Sequence, residues 1–405
     1  MENKTESKTD SLVHKIYTII VFVVLLSISL MFVLGTIQDR TKFKLQAIDK
    51  VAQRWAMAQC IKPPKLILNG AKDDQSLSVV EQKYDIQIEN STQKENIFTV
   101  PVYIANIKNE GMFNLQGKKD INGVINLSVT DFKGFVGNPK IKINGKEILP
   151  DEDGIYKVNL KTNEKLLKYE LEYQLRGTQQ IEVNTANIAT YLKLVSTTTP
   201  TIIGKYSPFK TNVDAKSYTG EWSVSKLAAT SSDKTALSTV IGASFVKKVD
   251  NYRAVERSVK YGFLFISLTF LTFFVFEVKN KRHKIHPFQY ALIGISMVIF
   301  YLLLLSMSEF FNFTLSYLIA ALMTIGLISG YTYFVLTKKD DKKFPTLIGG
   351  FLALIYGYLY MTINLEQYAL LFGSFGLFFT ILIVMYATRN IRWYTQSEEE
   401  NLPQN

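Results

Sequence analysis

Cysteine is almost missing from this sequence: Cys60 stands alone in 405 residues. A single thiol excludes an intrachain disulfide framework and any cysteine-built metal cluster. Histidine is nearly as scarce, with only His14, His283 and His286. The last two lie three residues apart, a spacing that can hold a metal on a helix. No carboxylate array joins them, and Pro287 argues against a helix through the pair, so they read as basic residues at a membrane edge. The sequence also lacks HExxH, a phosphate-binding Gly-rich loop ending in Gly-Lys-Ser/Thr, a dinucleotide fingerprint and a GxSxG elbow. The expectation is therefore no catalytic residue, no cofactor and no metal.

Charge is lacking where it would be most informative. Five apolar runs fill the last third of the chain, at 261–276, 290–307, 313–336, 344–363 and 368–388, and their interiors hold no ionisable residue. Intramembrane charges are costly and mark transport paths, so their absence weighs against a transporter. A further apolar run covers 16–34 and is followed by Gly35-Thr36-Ile37-Gln38-Asp39, without the small-residue pattern of a cleavage site. It reads as an uncleaved signal anchor. Each run has about the length a helix needs to cross ~30 Å of hydrocarbon.

The net charge of +11 does not point to nucleic acid, because the cations gather at the run ends, where topology explains them. Lys4, Lys8 and Lys15 precede the first run. Lys279, Lys281, Arg282 and Lys284 follow the second, Lys338, Lys339, Lys342 and Lys343 follow the fourth, and Arg389 and Arg392 follow the last. The intervening loops, near 308–312 and 364–367, carry Glu309 and Glu366 and no Lys or Arg. By the positive-inside rule this predicts both termini in the cytoplasm.

The expected architecture is an α-helical polytopic membrane protein with six transmembrane helices and an inserted β-rich periplasmic domain. Its parts are a cytoplasmic N-terminus (1–15), helices at 16–36, 260–277, 290–307, 313–336, 344–363 and 368–388, the periplasmic domain at 37–259, and a cytoplasmic tail (389–405). Residues 39–60 keep helical spacing, which Pro63-Pro64 should end. From 65 to about 230 the period becomes two, as in Tyr84-Asp85-Ile86-Gln87-Ile88-Glu89, predicting an antiparallel sandwich or related fold. Asn144-Gly145 predicts a two-residue hairpin turn, and Pro101 an edge or bulge. Residues 251–260 read as an amphipathic lead-in at the membrane surface.

The candidate functional or packing residues are the carboxylates at the run ends, Glu277, Glu309 and Glu366. Gly326 and Gly330 have the spacing that lets helices approach closely.

Several blocks carry a family resemblance. His286 to Glu309, Tyr317-Leu-Ile-Ala-Ala-Leu, Leu365 to Ser374 and Val384 to Tyr394 are similar to signature blocks of the CreD family of bacterial inner-membrane proteins. Ile97 to Tyr103 and Glu256 to Gly262 resemble further blocks, whereas 196–207 is Thr-rich where the family has a Trp/Pro-containing segment. The resemblance implies an inner membrane, a periplasmic domain, and links to envelope integrity, envelope stress and colicin tolerance, with no enzymatic activity. The partners expected are inner-membrane lipid and envelope proteins, and no nucleic acid. The leading expectation is a non-enzymatic envelope protein whose periplasmic domain is an interaction module. The alternatives are a transporter or channel with a substrate-gathering domain, and a signalling protein acting through a partner.

Overall fold

The structure is a computed structural model. It describes residues 3–69, 76–230, 240–246, 251–279, 285–336, 343–365 and 368–389. The chain divides into two compact units, Met1–Lys42 with Val249–Asn405, and Phe43–Lys248.

The first unit is helical. Helix α1 (Asn3–Arg54) runs unbroken for 52 residues, its last turns lying in the second unit. After the β-rich insertion come α3 (Asn251–Lys260), α4 (Gly262–Lys279), α5 (Pro287–Ser308), α6 (Phe313–Tyr331), α7 (Lys343–Asn364) and α8 (Ala369–Thr388). A short helix, α2 (Lys226–Thr230), belongs to the insertion. The helix ends are set by local chemistry. His286 caps α5 by accepting from the Phe288 N–H, and Gln289 accepts in return from the His286 N–H at 2.9 Å. Pro287 fills the first helical position, where its missing N–H costs nothing. Asn312 caps α6 through the Leu315 N–H at 2.9 Å.

The expectation of six crossings is corrected. Among the described residues four helices are long and apolar enough to cross: His14–Arg54, Pro287–Ser308, Phe313–Phe334 and Pro345–Asn364. A fifth is gained only if Asn251–Lys260 and Gly262–Glu277, bent by 47°, form one broken span. The physical reason is length. At 1.5 Å per residue, Gly262–Glu277 alone covers about 24 Å, short of the ~30 Å hydrocarbon. The crossing expected at 368–388 falls on α8, part of whose side chains lie outside the described residues, and it is not among the four.

The second unit holds two sheets. The smaller runs in the order β11 (Thr201–Gly204), β14 (Val240–Ser244), β9 (Gln180–Asn184), β1 (Gln59–Leu68), β4 (Asp120–Ser128), β7 (Tyr156–Lys161). The larger runs β12 (Lys210–Asp214), β13 (Ser217–Val224), β10 (Ala189–Ser196), β2 (Val79–Glu95), β3 (Phe98–Asn114), β8 (Leu166–Thr178), β5 (Lys140–Ile143), β6 (Lys146–Ile148). An all-antiparallel arrangement is also corrected: β1 pairs with β9, and β10 with β2, in parallel.

Alternation places one face of each strand inside. Tyr84, Ile86 and Ile88 are buried while Asp85, Gln87 and Glu89 point the other way. The core gathers Trp222, Tyr84, Tyr103, Leu192 and Ile241 in one cluster and Phe113, Tyr169, Leu66 and Ile141 in another. Polar tips find partners: Trp222 Nε1 donates to the Tyr206 carbonyl at 3.0 Å, and Tyr103 Oη to that of Gln180 at 2.9 Å. Asn144 and Gly145 have φ of 47° and 79° and turn β5 into β6 as expected.

Pro63-Pro64 behaves differently from expectation. The helix ends earlier, at Arg54, and both prolines sit inside β1. The β1–β4 register shifts between Lys62 and Lys65. An irregularity of this kind is where a strand tolerates residues without an N–H. Pro101 lies in β3 one residue beyond its ladder with β8, which begins at Val102, so β2 alone pairs it.

Candidate functional site

In the helical unit, Leu26, Leu30, Val33 and Ile37 form the buried seam of α1. Their spacing of four, three and four residues keeps them on one stripe. The seam meets glycines. A Cβ on Gly294 of α5 would overlap Leu26 and lie 2.8 Å from Phe270, and a Cβ on Gly262 would lie 2.7 Å from Leu30. The absent side chains are thus the sockets into which α1 fits.

Each end of this seam carries an ion pair. At the first, Glu277 is buried and pairs with Lys15. Its Oε1 also accepts from the Ile285 N–H at 3.1 Å, and its Oε2 from the Tyr290 hydroxyl at 3.2 Å. Both carboxylate oxygens are satisfied, which is what allows a buried charge to persist. At the second end, Glu309 caps α5 and lies 3.4 Å from Arg40 Nε, with the Tyr252 hydroxyl donating at 3.5 Å. Beside it the Asn251 amide donates to the carbonyls of Ser308 at 2.9 Å and Phe311 at 3.1 Å. These carbonyls, at and just beyond the end of α5, would otherwise need another partner. Lys15 and Arg40 are 25 positions apart on one helix, about 38 Å along its axis.

Between the clamps the packing is apolar and aromatic. The Phe300 ring centre lies 4.9, 5.5 and 4.8 Å from those of Tyr301, Tyr317 and Tyr356. Tyr317 Oη donates to the Tyr356 carbonyl at 2.7 Å.

The structure therefore places two of the three expected carboxylates in ion pairs with α1, one beyond each end of its buried seam. Glu366 lies outside the described residues, as does His283. Around Gly326 and Gly330 a Cβ would meet nothing within 4 Å. Lys15, Arg40, Tyr252 and Tyr290 were missed as site residues. The two cations stood in the sequence as flanks of the first apolar run, and nothing local names partners more than 260 residues away. Among the described residues no group of three or more His, Cys, Asp and Glu could hold a metal.

The β-rich unit offers a different surface. Across the outward face of the large sheet the register aligns Glu221, Lys193, Asp85, Lys108, Glu172 and Lys140, alternating in sign. Lys108 and Glu172 pair at 3.0 Å, and this hydrogen bond raises the lysine's pKa. One row away, Glu81, Lys83, Glu110, Met112, Lys168 and Tyr191 line a shallow hollow of ≈ 360 Å³. The Lys83 ammonium sits 5.9 Å from the Tyr191 ring centre, and the Tyr191 hydroxyl donates to Glu221 at 2.8 Å. The hollow offers charges of both signs and an aromatic face, a set suited to binding rather than to covalent chemistry. Cys60 is no nucleophile candidate, since burial and then Glu182 push its thiol pKa up, away from the reactive thiolate.

Long apolar helices clamped at both ends, with a folded β-rich unit inserted after the first, define an integral membrane protein with a substantial part outside the bilayer. The family described as inner membrane protein CreD matches residues 11–394. The chain belongs to the CreD family. A relative from Escherichia coli (strain K12), named inner membrane protein CreD, is 29% identical over 332 residues, 75% of this chain and 73% of that protein. Among solved structures, a putative nutrient binding protein from Legionella pneumophila has a TM-score of 0.31 and 7% identity over 75% of this chain and 99% of that one. An M1 zinc metallopeptidase from Deinococcus radiodurans has a TM-score of 0.23 and 8% identity over 43% and 44%. Neither likeness is strong enough to carry an argument about fold or chemistry.

Proposed function

We propose that the protein is a non-enzymatic component of the bacterial inner membrane that supports envelope integrity, its β-rich unit acting on the periplasmic side as an interaction module. The observation that carries this reading is the outward face of the large sheet. Its sign-alternating row and its hollow make a polar, well-hydrated recognition surface on a unit with its own closed core. The periplasmic assignment rests on Lys4, Lys8 and Lys15 before the first apolar run, which hold that end in the cytoplasm. The buried Glu277 and the half-buried Glu309 are paired with Lys15 and Arg40. This supports a role in assembly and lends nothing to the transporter alternative.

A cell lacking the protein tests this when it is complemented with the full chain, or with a chain carrying Lys83→Glu, Glu110→Lys and Tyr191→Ala in the hollow. The expected result is restored resistance to envelope-damaging detergent, and a restored colicin response, by the natural chain only, at equal protein levels. Full complementation by the variant would remove the hollow from the function. Turnover of a cell-wall or lipid substrate by the purified protein would overturn the non-enzymatic reading.

A further inference from the structure

Strand β12 ends the large sheet. Among the described residues it pairs with β13 alone, and all five of its residues, Lys210 to Asp214, are exposed. A two-residue turn, Ala215-Lys216, joins it to β13 and is closed by Asp214 and Ser217. The residues closing such a turn exchange both backbone bonds, and every second pair after them does the same. Asp214, Asn212 and Lys210 therefore bond inward to β13. The N–H and C=O groups of Thr211 and Val213 point away from the sheet, a template for one more strand.

The side chains on this edge complement themselves. Lys210 lies opposite Glu221 and so extends the sign-alternating row through Lys193, Asp85, Lys108, Glu172 and Lys140. The next place in the row, beyond Lys210, calls for an anion. A second copy laid antiparallel, with a two-fold axis through Asn212, puts its Asp214 there, and symmetry repeats the pair on the other side. Thr211 then faces Val213, and the two exchange both backbone bonds. Centring the axis on Thr211 or on Val213 also satisfies the backbone, but sets Lys210 or Asp214 against Asn212, so charge selects the Asn212 centre. Lys210 is 3.9 Å from Glu221 with its side chain 69% exposed, and Asp214 accepts from the Asn212 amide at 3.2 Å, so both charges remain within reach of the edge. Val213 lies opposite the buried Tyr218, on the core-facing side of the strand, yet is 59% exposed; a second copy would cover it.

The other edges lack this match. β7 is also centred near an asparagine, but self-pairing about Asn159 sets Lys157 against Lys161, and like charges directly opposite repel. β11 carries no charge to fix a register, and β6 has three residues.

We propose that β12 is a self-association edge: two copies of this chain pair their β12 strands antiparallel about Asn212, joining the two large sheets into one, with Lys210 of each copy against Asp214 of the other. Five residues make a small contact, so the dimer is reversible and forms between copies held in one membrane. The hollow contains no residue of β12, so either assignment can fail alone.

The test is disulfide cross-linking of the full-length protein in lipid vesicles, with Cys60→Ser as the background. Asn212→Cys should give a covalent dimer on oxidation, because the two copies of this position face each other across the axis, and Asn159→Cys on the β7 edge should not. Adding Lys210→Asp to Asn212→Cys should slow dimer formation about tenfold, since both attractive pairs become repulsive. Adding Asp214→Lys as well should restore it. No dimer from Asn212→Cys, equal cross-linking at Asn159→Cys, indifference to Lys210→Asp, or no recovery in the exchanged pair would each overturn the proposal. Should Asn212→Cys fail to fold, a zero-length carbodiimide applied to the natural chain decides: it should yield a dimer linked from Lys210 to Asp214, and a dimer without that link, or none, would overturn the proposal.

Discussion

Glu277 shows what a single residue does here. Its carboxylate joins three parts of the chain that are far apart in sequence: Lys15 of α1, the backbone ahead of α5 and the Tyr290 hydroxyl. Removing one partner of a buried pair typically costs ~3–5 kcal/mol. Lys15, at 26% side-chain exposure, puts this pair nearer the lower figure. Glu277→Ala should therefore lower the melting temperature in detergent markedly, Glu277→Gln less, because the amide oxygen still accepts one bond. The exchanged pair Lys15→Glu with Glu277→Lys should recover part of the loss. No recovery would mean that the Ile285 and Tyr290 bonds, and not the ion pair, do the holding. Glu182 is a second case with a pH signature. Burial raises its carboxyl pKa, so the folded state binds the proton more tightly than the unfolded one. Its contribution to stability is complete below the ordinary carboxylate range and is lost as pH rises through the raised value. Glu182→Gln should thus stabilise the β-rich unit at neutral pH and make no difference below about pH 4, as followed by denaturant midpoints at several pH values.

Among the elements, the glycines show where sequence reading succeeds and where it stops. Gly326 and Gly330 have the spacing of a packing motif, yet Gly294 and Gly262 are the ones against which side chains of α1 pack. A spacing rule sees two glycines on one helix. It does not see one glycine facing Leu26 from a helix more than 260 residues away. Gly294→Leu should exclude the Leu26 side chain and loosen α1, seen as faster proteolysis near the start of the chain and a lower melting temperature. Gly326→Leu should change neither. Unchanged behaviour of Gly294→Leu would show that the seam does not depend on this socket. The Asn144-Gly145 turn was legible because both φ values are local properties of two residues. Pro63-Pro64 was misread for the complementary reason: proline excludes a helix interior locally, but whether a strand can absorb it depends on the register with β4. The same holds for α4, whose apolar composition was plain while its break from α3 was not. Of the candidate site, the carboxylates were legible as charges at run ends, and their cations were legible only as flanks.

For the whole molecule, the division into an apolar helical part and a β-rich part could be read from periodicity and composition. The strand order could not. The parallel pairings of β1 with β9 and of β2 with β10 join segments more than 100 residues apart, and alternation within a strand is silent about its neighbour. The crossing expected on α4 fails for a related reason, since an apolar run advertises composition while a crossing also needs unbroken length.

Lys15 and Arg40 are fixed to Glu277 and Glu309 at a separation of about 38 Å, and each needs water or headgroups around it. The bundle therefore has a preferred bilayer thickness built in. A membrane that is too thick draws one pair into hydrocarbon, and one that is too thin bares the apolar seam, each at a fraction of a kcal/mol per Å. In vesicles of graded acyl length the protein should be most stable at an intermediate chain length. Neutralising either clamp, by Lys15→Gln with Glu277→Gln or by Arg40→Gln with Glu309→Gln, should broaden that optimum, and a stability indifferent to chain length would show that the clamps do not set it.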